Sequence, residues 1–427
     1  MITSFLKPLC IKRLGNASKY VYNNCRQFMT YLYDEYGDNE LYYNLPNAQW
    51  IVDDCYRDIL EDCINKKLKI IHISFCASVN QYIEPLSECT HLQKIIFDYM
   101  FNKSIEPLRH CTNLREITFG SAFNQSIESL DNCTNLKQIT FGNSFNQSVE
   151  SLGNCTDLKQ IEFGDAFNQS VGSLGNCTDL KQIIFGLFFN QSIEPLGNCR
   201  TLQHIIFGGN FNQPIECLAQ CTQLKQIILG WNSNQSIESL RHCTNLQYIT
   251  FGNSFDQSIE PLRLSANLEH ITFMRHSNFN RSIEHLSGCT NLKQITFGSS
   301  FNQSIEPLGN CKALQQITFG HSFNQSIEHL GNCKALQKIT FGDSFNQSIE
   351  PLNKTDIYYI NFNRGSIFNQ SVESLVHCIN LHGIYFGLSF NQPVEHLAGC
   401  NSLTTIFLSK NYNRPLDVLK DKNVIKC

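Results

Sequence analysis

From Leu136 the chain reads Leu136-Lys137-Gln138-Ile139-Thr140-Phe141-Gly142, then Phe145-Asn146-Gln147-Ser148-Val149-Glu150, then Leu152-Gly153-Asn154-Cys155; at Leu158, 22 residues on, the series begins again. About sixteen such copies run from near Ile70 to Leu419. A unit this short cannot enclose an apolar core of its own, so it is stable only when stacked on copies of itself. The expected architecture is therefore a repeat solenoid, one coil per copy. Two or three globular domains, which 427 residues would otherwise allow, are not expected.

Within a coil, Leu136 to Phe141 alternates polar residues with Ile139 and Phe141, the period of a short half-buried strand. Two slots, that of Phe141 and Phe163 and that of Phe145 and Phe167, together hold 27 of the 31 phenylalanines, which stacked coils would line into ladders. With parallel strands ~4.8 Å apart, sixteen coils would extend roughly 75 Å. Gly142 ends the strand, and glycine recurs there in most copies, which points to a backbone angle or a close approach that a β-carbon would hinder. Ser148 is placed to cap a short helical turn, with Glu150 in its first turn and Gly153 near its end. Two residues are added between Phe273 and Phe279, and again between Phe362 and Phe368 beside a deletion near Lys354; both should bulge outward and leave the ladder in register.

Polar and sulfur ladders follow from the same period. The asparagine after the second phenylalanine (Asn146, Asn168) recurs in fifteen copies, with only Asp256 departing, and is expected to be buried and to satisfy backbone groups of adjacent coils. Thirteen of the 20 cysteines, Cys155 and Cys177 among them, share one slot; with no paired spacing and no regular histidine partner they are expected to be small buried hydrophobes, and no metal site is expected. Glutamates form a row that fits either the helix dipole or an acidic edge for a basic partner. Lysines and arginines (Arg115, Lys137, Lys159, Lys181, Lys225, Lys293) form another, which fits a solvated strand face or a stripe that orients a polar partner.

The consensus breaks at an outward slot. Threonine there (Thr118, Thr140, Thr250) becomes Ile184, Ile206 and Ile228 in three successive coils, accompanied by Leu187 and Phe188 and, further on, Trp231. These six residues are candidates for an exposed apolar protein-binding patch. The alternative is drift, with Phe188 folded inward.

Residues 1–69 do not repeat and are expected to be mainly helical, with a helix over 47–66 covering the first coil's open edge; 70–419 are the repeats and 420–427 a lysine-rich tail. With 33 basic against 37 acidic residues, a basic nucleic-acid-binding surface is not expected. No apolar stretch has the length of a membrane span, and the start lacks a signal-peptide core. Asn-Gln-Ser is a glycosylation sequon in most copies, which a buried asparagine would exclude, so a cytoplasmic protein is expected.

Phe123-Asn124-Gln125-Ser126-Ile127 and Phe211-Asn212-Gln213-Pro214-Ile215 resemble the core of the FNIP repeat, over about 80% of the chain. The Cys-x-x-Leu-x-x-Ile-x-Phe stretch is similar to cysteine-containing leucine-rich repeats. These resemblances imply leucine-rich-repeat-like coils of 22 residues with one parallel sheet face and short helical or irregular turns opposite. Such repeats are abundant in slime moulds and in giant viruses of amoebae, where the cytoplasm would be the host's. FNIP proteins often begin with an F-box, and Ser4-Phe5-Leu6 with Ile11 to Tyr20 resembles the second half of one, within 1–35. The functional expectation is a non-catalytic protein-interaction solenoid. The alternative is a substrate receptor that binds the linker subunit of a cullin-type ubiquitin ligase. No phosphate loop, catalytic triad motif or cofactor fingerprint is present, so neither an enzyme nor a cofactor is expected.

Overall fold

A computed structural model describes residues 30–32, 49–55, 57–75, 80 and 82–426. The chain divides into two compact units, Met1–Leu202 and Gln203–Cys427. Described strands of the first unit are β1 (Thr30–Leu32), β2 (Gln49–Cys55), β3 (Ile70–Phe75), β4 (Lys94–Ile96), β5 (Glu116–Thr118), β6 (Gln138–Thr140), β7 (Gln160–Glu162) and β8 (Gln182–Ile184). Each pairs in parallel with the next. The second unit carries β9 (His204–Ile206), β10 (Gln226–Ile228), β11 (Tyr248–Phe251), β12 (His270–Phe273), β13 (Gln294–Thr296), β14 (Gln316–Thr318), β15 (Lys338–Phe341), β16 (Tyr359–Phe362), β17 (Gly383–Tyr385), β18 (Thr405–Leu408) and β19 (Asn423–Lys426). These too are parallel and paired in chain order.

The coil after β6 shows how the repeat builds this arrangement. Ile139 is fully buried between outward Gln138 and Thr140, and lies in register with Ile117 and Ile161. The chain then turns at Phe141 and Gly142 so that Phe145 lies on Phe141, ring centroids 3.9 Å apart. Phe141 also stacks on Phe119 and on Phe163, both at 5.5 Å, while Phe145 meets Phe123 at 6.0 Å and Phe167 at 6.1 Å. Burying one such ring contributes about 1.5–3 kcal/mol, and each well-placed aromatic pair adds about 0.5–1.5.

The glycine between the rings serves proximity rather than backbone angle. No described glycine has a positive φ, and a β-carbon on Gly142 would come within 2.1 Å of the Gly120 carbonyl oxygen. A five-residue 3-10 turn, Glu150–Asn154, then carries the chain to the opposite side with Leu152 buried beneath it. Ser148 acts one position before the flanking residue Val149: its hydroxyl accepts from the Glu150 N–H at 3.3 Å. The Cys155 N–H donates to the Leu152 carbonyl at 3.0 Å, and the Leu158 N–H to the Cys155 carbonyl at 3.0 Å, which returns the chain to β7.

Both insertions keep register, since Ile271 pairs with Ile295 and Ile360 with Ile384, and so does the deletion, across which Phe341 pairs with Phe362.

The ends differ from expectation. The helix expected over 47–66 is confined to α1 (Arg57–Asn65), and its first half is strand β2. Trp50 and Val52 are buried with half-buried Ile51 between them, the alternation of a strand; these aromatic and β-branched residues favour extended backbone. Leu60 and Cys63 of α1 are buried, and the helix packs against the turn Glu84–Glu88. The sheet thus begins ahead of residue 70. In the second unit the strands run past residue 420, because β19 pairs with β18 over Asn423–Lys426 and satisfies that strand's backbone. The F-box-like stretch lies outside the described residues, as do all of 1–35 but 30–32.

Gly142→Ala is expected to destabilise the fold by about 1–3 kcal/mol through overpacking against backbone. Gly172→Ala is expected to change little, because a β-carbon there meets only the Ser170 hydroxyl at 3.5 Å. Urea unfolding of the two variants checks the contrast.

Candidate functional site

Each repeat strand presents two outward positions; both vary, and the second is where threonine gives way to isoleucine, tyrosine and phenylalanine. In the first unit Ile184 is half-buried at the end of β8, and the following loop holds Leu187 half-buried and Phe188 52% exposed. That loop is fixed through Asp165: its carboxylate accepts the Leu187 N–H at 3.2 Å and its carbonyl the Phe188 N–H at 3.0 Å. Phe188 therefore points to solvent and does not fold into the core. In the second unit Ile206 and Ile228 are direct neighbours in register, both half-buried, and Trp231 is 53% exposed. The structure thus pairs Ile206 with Ile228 and places Trp231 on the loop after β10, while Ile184, Leu187 and Phe188 belong to the first unit.

The same outward slot holds two residues that sequence reading missed. Tyr385 on β17 and Phe407 on β18 are paired in register and their rings stack at 4.1 Å. With Leu388, Arg364 and Lys410 they line a groove of about 470 Å³. Their signal was the one that marked the isoleucines, replacement of the outward threonine. In the first unit the loop after β4 likewise exposes Tyr99 and Met100. A larger groove, about 730 Å³, lies over the threonines of β12 to β15 and is rimmed by Arg275, His276, His321 and Asp343.

The ladders are structural. The Asn146 side-chain oxygen accepts the Asn168 N–H at 2.9 Å and the Gln169 amide at 3.1 Å. These asparagines are half-buried rather than buried as expected, because their carbonyl face is used by the next coil while the turn leaves one side open to water. The single departure is compensated: Asp256 accepts from Arg281, which stands where most other coils have glutamine, and their charged atoms approach to 3.3 Å.

Cys155 and Cys177 are fully buried, and the Cys177 thiol donates to the Leu152 carbonyl at 3.4 Å. Burial pushes the Cys155 thiol up to about 12 and Cys177 to about 11, so neither supplies a thiolate nucleophile. Among the described residues no group of three or more histidine, cysteine or acidic side chains is placed to hold a metal ion.

Glutamates of the acidic row open the 3-10 turns and, apart from half-buried Glu260, stay exposed. Some pair locally, as where Arg241 reaches Glu238 and Glu260, both at 2.6 Å. Hydrogen bonding to Arg241 holds the Glu238 carboxyl below its usual range.

This geometry, parallel strands in regular coils with short turns opposite, defines a leucine-rich-repeat-like solenoid. No protein-family model matches the sequence, and no curated protein matches it. Among solved structures, the chain is similar to a circular leucine-rich-repeat protein of a giant virus, with 31% identity and TM-score 0.65 over 84% of this chain and 55% of that one. It thus spans about half the length of that protein. It is similar in fold to a leucine-rich-repeat protein of Leptospira interrogans (11% identity, TM-score 0.68, 81% of this chain and 93% of that one). A third similar structure is from the Toll–Spätzle complex of Drosophila (13% identity, TM-score 0.69, 90% and 60%). Among the described residues no helix is long and apolar enough to cross a membrane.

The buried thiols make stability depend on pH in one direction. Below the ordinary cysteine value near 9, folded and unfolded chains both hold these protons. Above it the unfolded chain releases them first, so stability is full below pH 9 and falls as pH rises toward 11–12. Each thiol contributes a slope of about 1.4 kcal/mol per pH unit there. Urea midpoints measured from pH 8 to 10.5 are expected to fall less steeply in Cys155→Ala/Cys177→Ala than in the parent chain.

Proposed function

We propose that this chain is a non-catalytic solenoid that binds a protein through the outward face of its sheet and the adjoining loop edge. The observation that carries this reading is the exposure of large apolar side chains where the fold does not need them. Phe188, Trp231 and Leu388 are outside a core that is already complete, and Tyr385 and Phe407 stack in an open groove. Aromatic anchors of this kind concentrate binding energy at protein interfaces. The similar Drosophila structure, a complex of Toll with Spätzle, supports a protein as the ligand class. Ladder cysteines such as Cys155 and Cys177 are buried core thiols outside any disulfide, which supports a reducing compartment and thus the cytoplasm. The repeats are read as FNIP repeats on the residues given above.

A second reading rests on the F-box-like stretch within 1–35: a receptor that carries bound proteins to a cullin-type ubiquitin ligase. It requires direct binding of the purified ligase linker subunit to the full chain and its loss on removal of 1–35. A full chain that ignores the linker excludes it.

For the first reading, Ile206→Asp combined with Trp231→Asp is expected to leave urea unfolding cooperative and to weaken partner capture at least tenfold. A photocrosslinking residue at Ile228 should trap the same partner, and one at Glu306, on an opposite turn, should not. Undiminished capture by the double variant counts against the sheet face.

A further inference from the structure

Arg364 stands on an insertion loop whose own bonds fix its backbone. The Ser366 N–H closes the loop by donating to the Asn363 carbonyl at 2.9 Å. The Ser366 hydroxyl, fully buried, accepts the Phe368 N–H at 3.2 Å, and Gly387 of the next coil packs so closely that a β-carbon there would come within 2.7 Å of the serine's own. The insertion after Phe273 is built in the same way, with Ser277 buried beneath Gly298. The Arg364 carbonyl accepts the Leu388 N–H at 2.9 Å, which ties the loop after β16 to the loop after β17. Its guanidinium takes no part in this framework.

Beside that loop the second outward slot carries Asn361 on β16, Tyr385 on β17 and Phe407 on β18, paired in register. The Tyr385 and Phe407 rings lie 4.1 Å apart with planes within 11°, close to the ~4.8 Å between strands, so the rings form a row along the sheet. Neighbours fix the row at both ends. Gly383 leaves room for the Tyr359 ring, which would come within 2.3 Å of a β-carbon there, and that ring meets Tyr385 at 6.5 Å, tilted by 46°. On the other side Phe407 is paired with Ile425 of β19. The ring faces are thus taken up along the row, and what the rings offer to solvent is edges.

Three successive loops add Arg364, Leu388 and Lys410 to the same groove of about 470 Å³, an apolar side chain between two cations. No carboxylate lines this groove. Among the described residues neither cation has an ion-pair partner; the ion pairs of the second unit lie elsewhere. From Ile357 to Leu416 the only acidic residues are Glu373 and Glu395, and both open 3-10 turns, away from the sheet face. Asp343 of the preceding coil approaches Gly365, but its carboxylate is held by His321 at 3.0 Å and lines the larger groove instead.

We propose that this groove receives a short acidic and apolar segment of a partner protein. An apolar side chain lies against Leu388, Tyr385 and Phe407, with one carboxylate at Arg364 and a second at Lys410. This rests on the protein-binding reading above and assigns it a subsite and a ligand chemistry. Two cations facing one groove without a counter-charge repel each other, and ligand carboxylates complete the complementarity. The loops of β16 and β18 are two strand spacings apart, roughly 10 Å, and an extended chain advances ~3.3 Å per residue, so the two acids stand about three positions apart. A nucleic-acid strand would also bring negative charge to the cations, but its bases stack on open ring faces, and these faces are occupied.

The test is fluorescence anisotropy of the full chain with the fluorescein-labelled peptide Ser-Gly-Glu-Leu-Phe-Glu-Gly-Ser. It is expected to bind at least tenfold more tightly than versions with glutamine in place of both glutamates or alanine in place of Leu-Phe. Arg364→Glu and Lys410→Glu, both at exposed side chains, should each weaken binding about tenfold without moving the melting temperature. The double variant should prefer a peptide with lysine in place of both glutamates, and Arg275→Glu, in the larger groove, should leave binding unchanged. Equal affinity for the glutamine peptide, binding indifferent to both charge reversals, loss of binding in Arg275→Glu, or tighter binding of a labelled hexathymidylate overturns the proposal. Crosslinking through Ile228 that survives such a result leaves the sheet-face reading standing and removes only this subsite.

Discussion

The constraint on which the rest depends is backbone contact between coils at the glycine column. Gly142 lies so close to the Gly120 carbonyl that no side chain fits between them, and Gly164 repeats the contact on Gly142. That approach brings successive coils to strand-pairing distance on the loop side as well as the sheet side, so both phenylalanine columns stack at 5.3–6.2 Å through most of each unit. Spacing set at two edges at once leaves the interior with a uniform thickness, which the Ile139, Leu152, Cys155 and Leu158 slots fill with side chains of fixed size. A thiol suits the cysteine slot because it is small, tolerates burial, and can still donate weakly to the leucine carbonyl of the coil before.

What was legible in the sequence is what the period amplifies. Ile139, Phe141, Phe145 and Cys155 were assigned to the core because the same choice recurs coil after coil, and the structure buries them all. What lacked the period was misread. Trp50 and Val52 alternate in a strand, but Ile51, Cys55 and Ile59 also fall four apart, and without a second copy for comparison the helical spacing looked the stronger. β19 was hidden for the same reason, since its lysines resemble a solvated tail until β18 offers them a partner strand. The half-burial of Asn146 was beyond sequence, because it depends on how far the turn opens to water. Tyr385 and Phe407 were readable in principle: they stand at the outward slot whose isoleucines were noticed.

Function in such a molecule is separable from stability because the two use different faces of the same strand. Ile227 is buried and holds β10 to its neighbours, while Ile228 beside it is half-buried and free to vary. The outward slot passes through isoleucine, threonine, asparagine, tyrosine and phenylalanine along the second unit with no change in register. A scaffold built this way accumulates binding chemistry one coil at a time without renegotiating its core.

Near-identical coils bring a hazard of their own, in that a folding chain could dock a coil on the wrong neighbour and lose little energy. The Asp256–Arg281 pair, the one departure in the asparagine ladder, acts against this. An arginine opposite asparagine, or an aspartate opposite glutamine, loses the charge complement that the correct neighbours share. The buried serines beneath Gly298 and Gly387 work in the same sense through shape, since each insertion loop fits a following coil that has room for it. These irregularities give individual coils an address, and they mark positions along the second unit at which a slipped register is penalised before the remaining coils close over it.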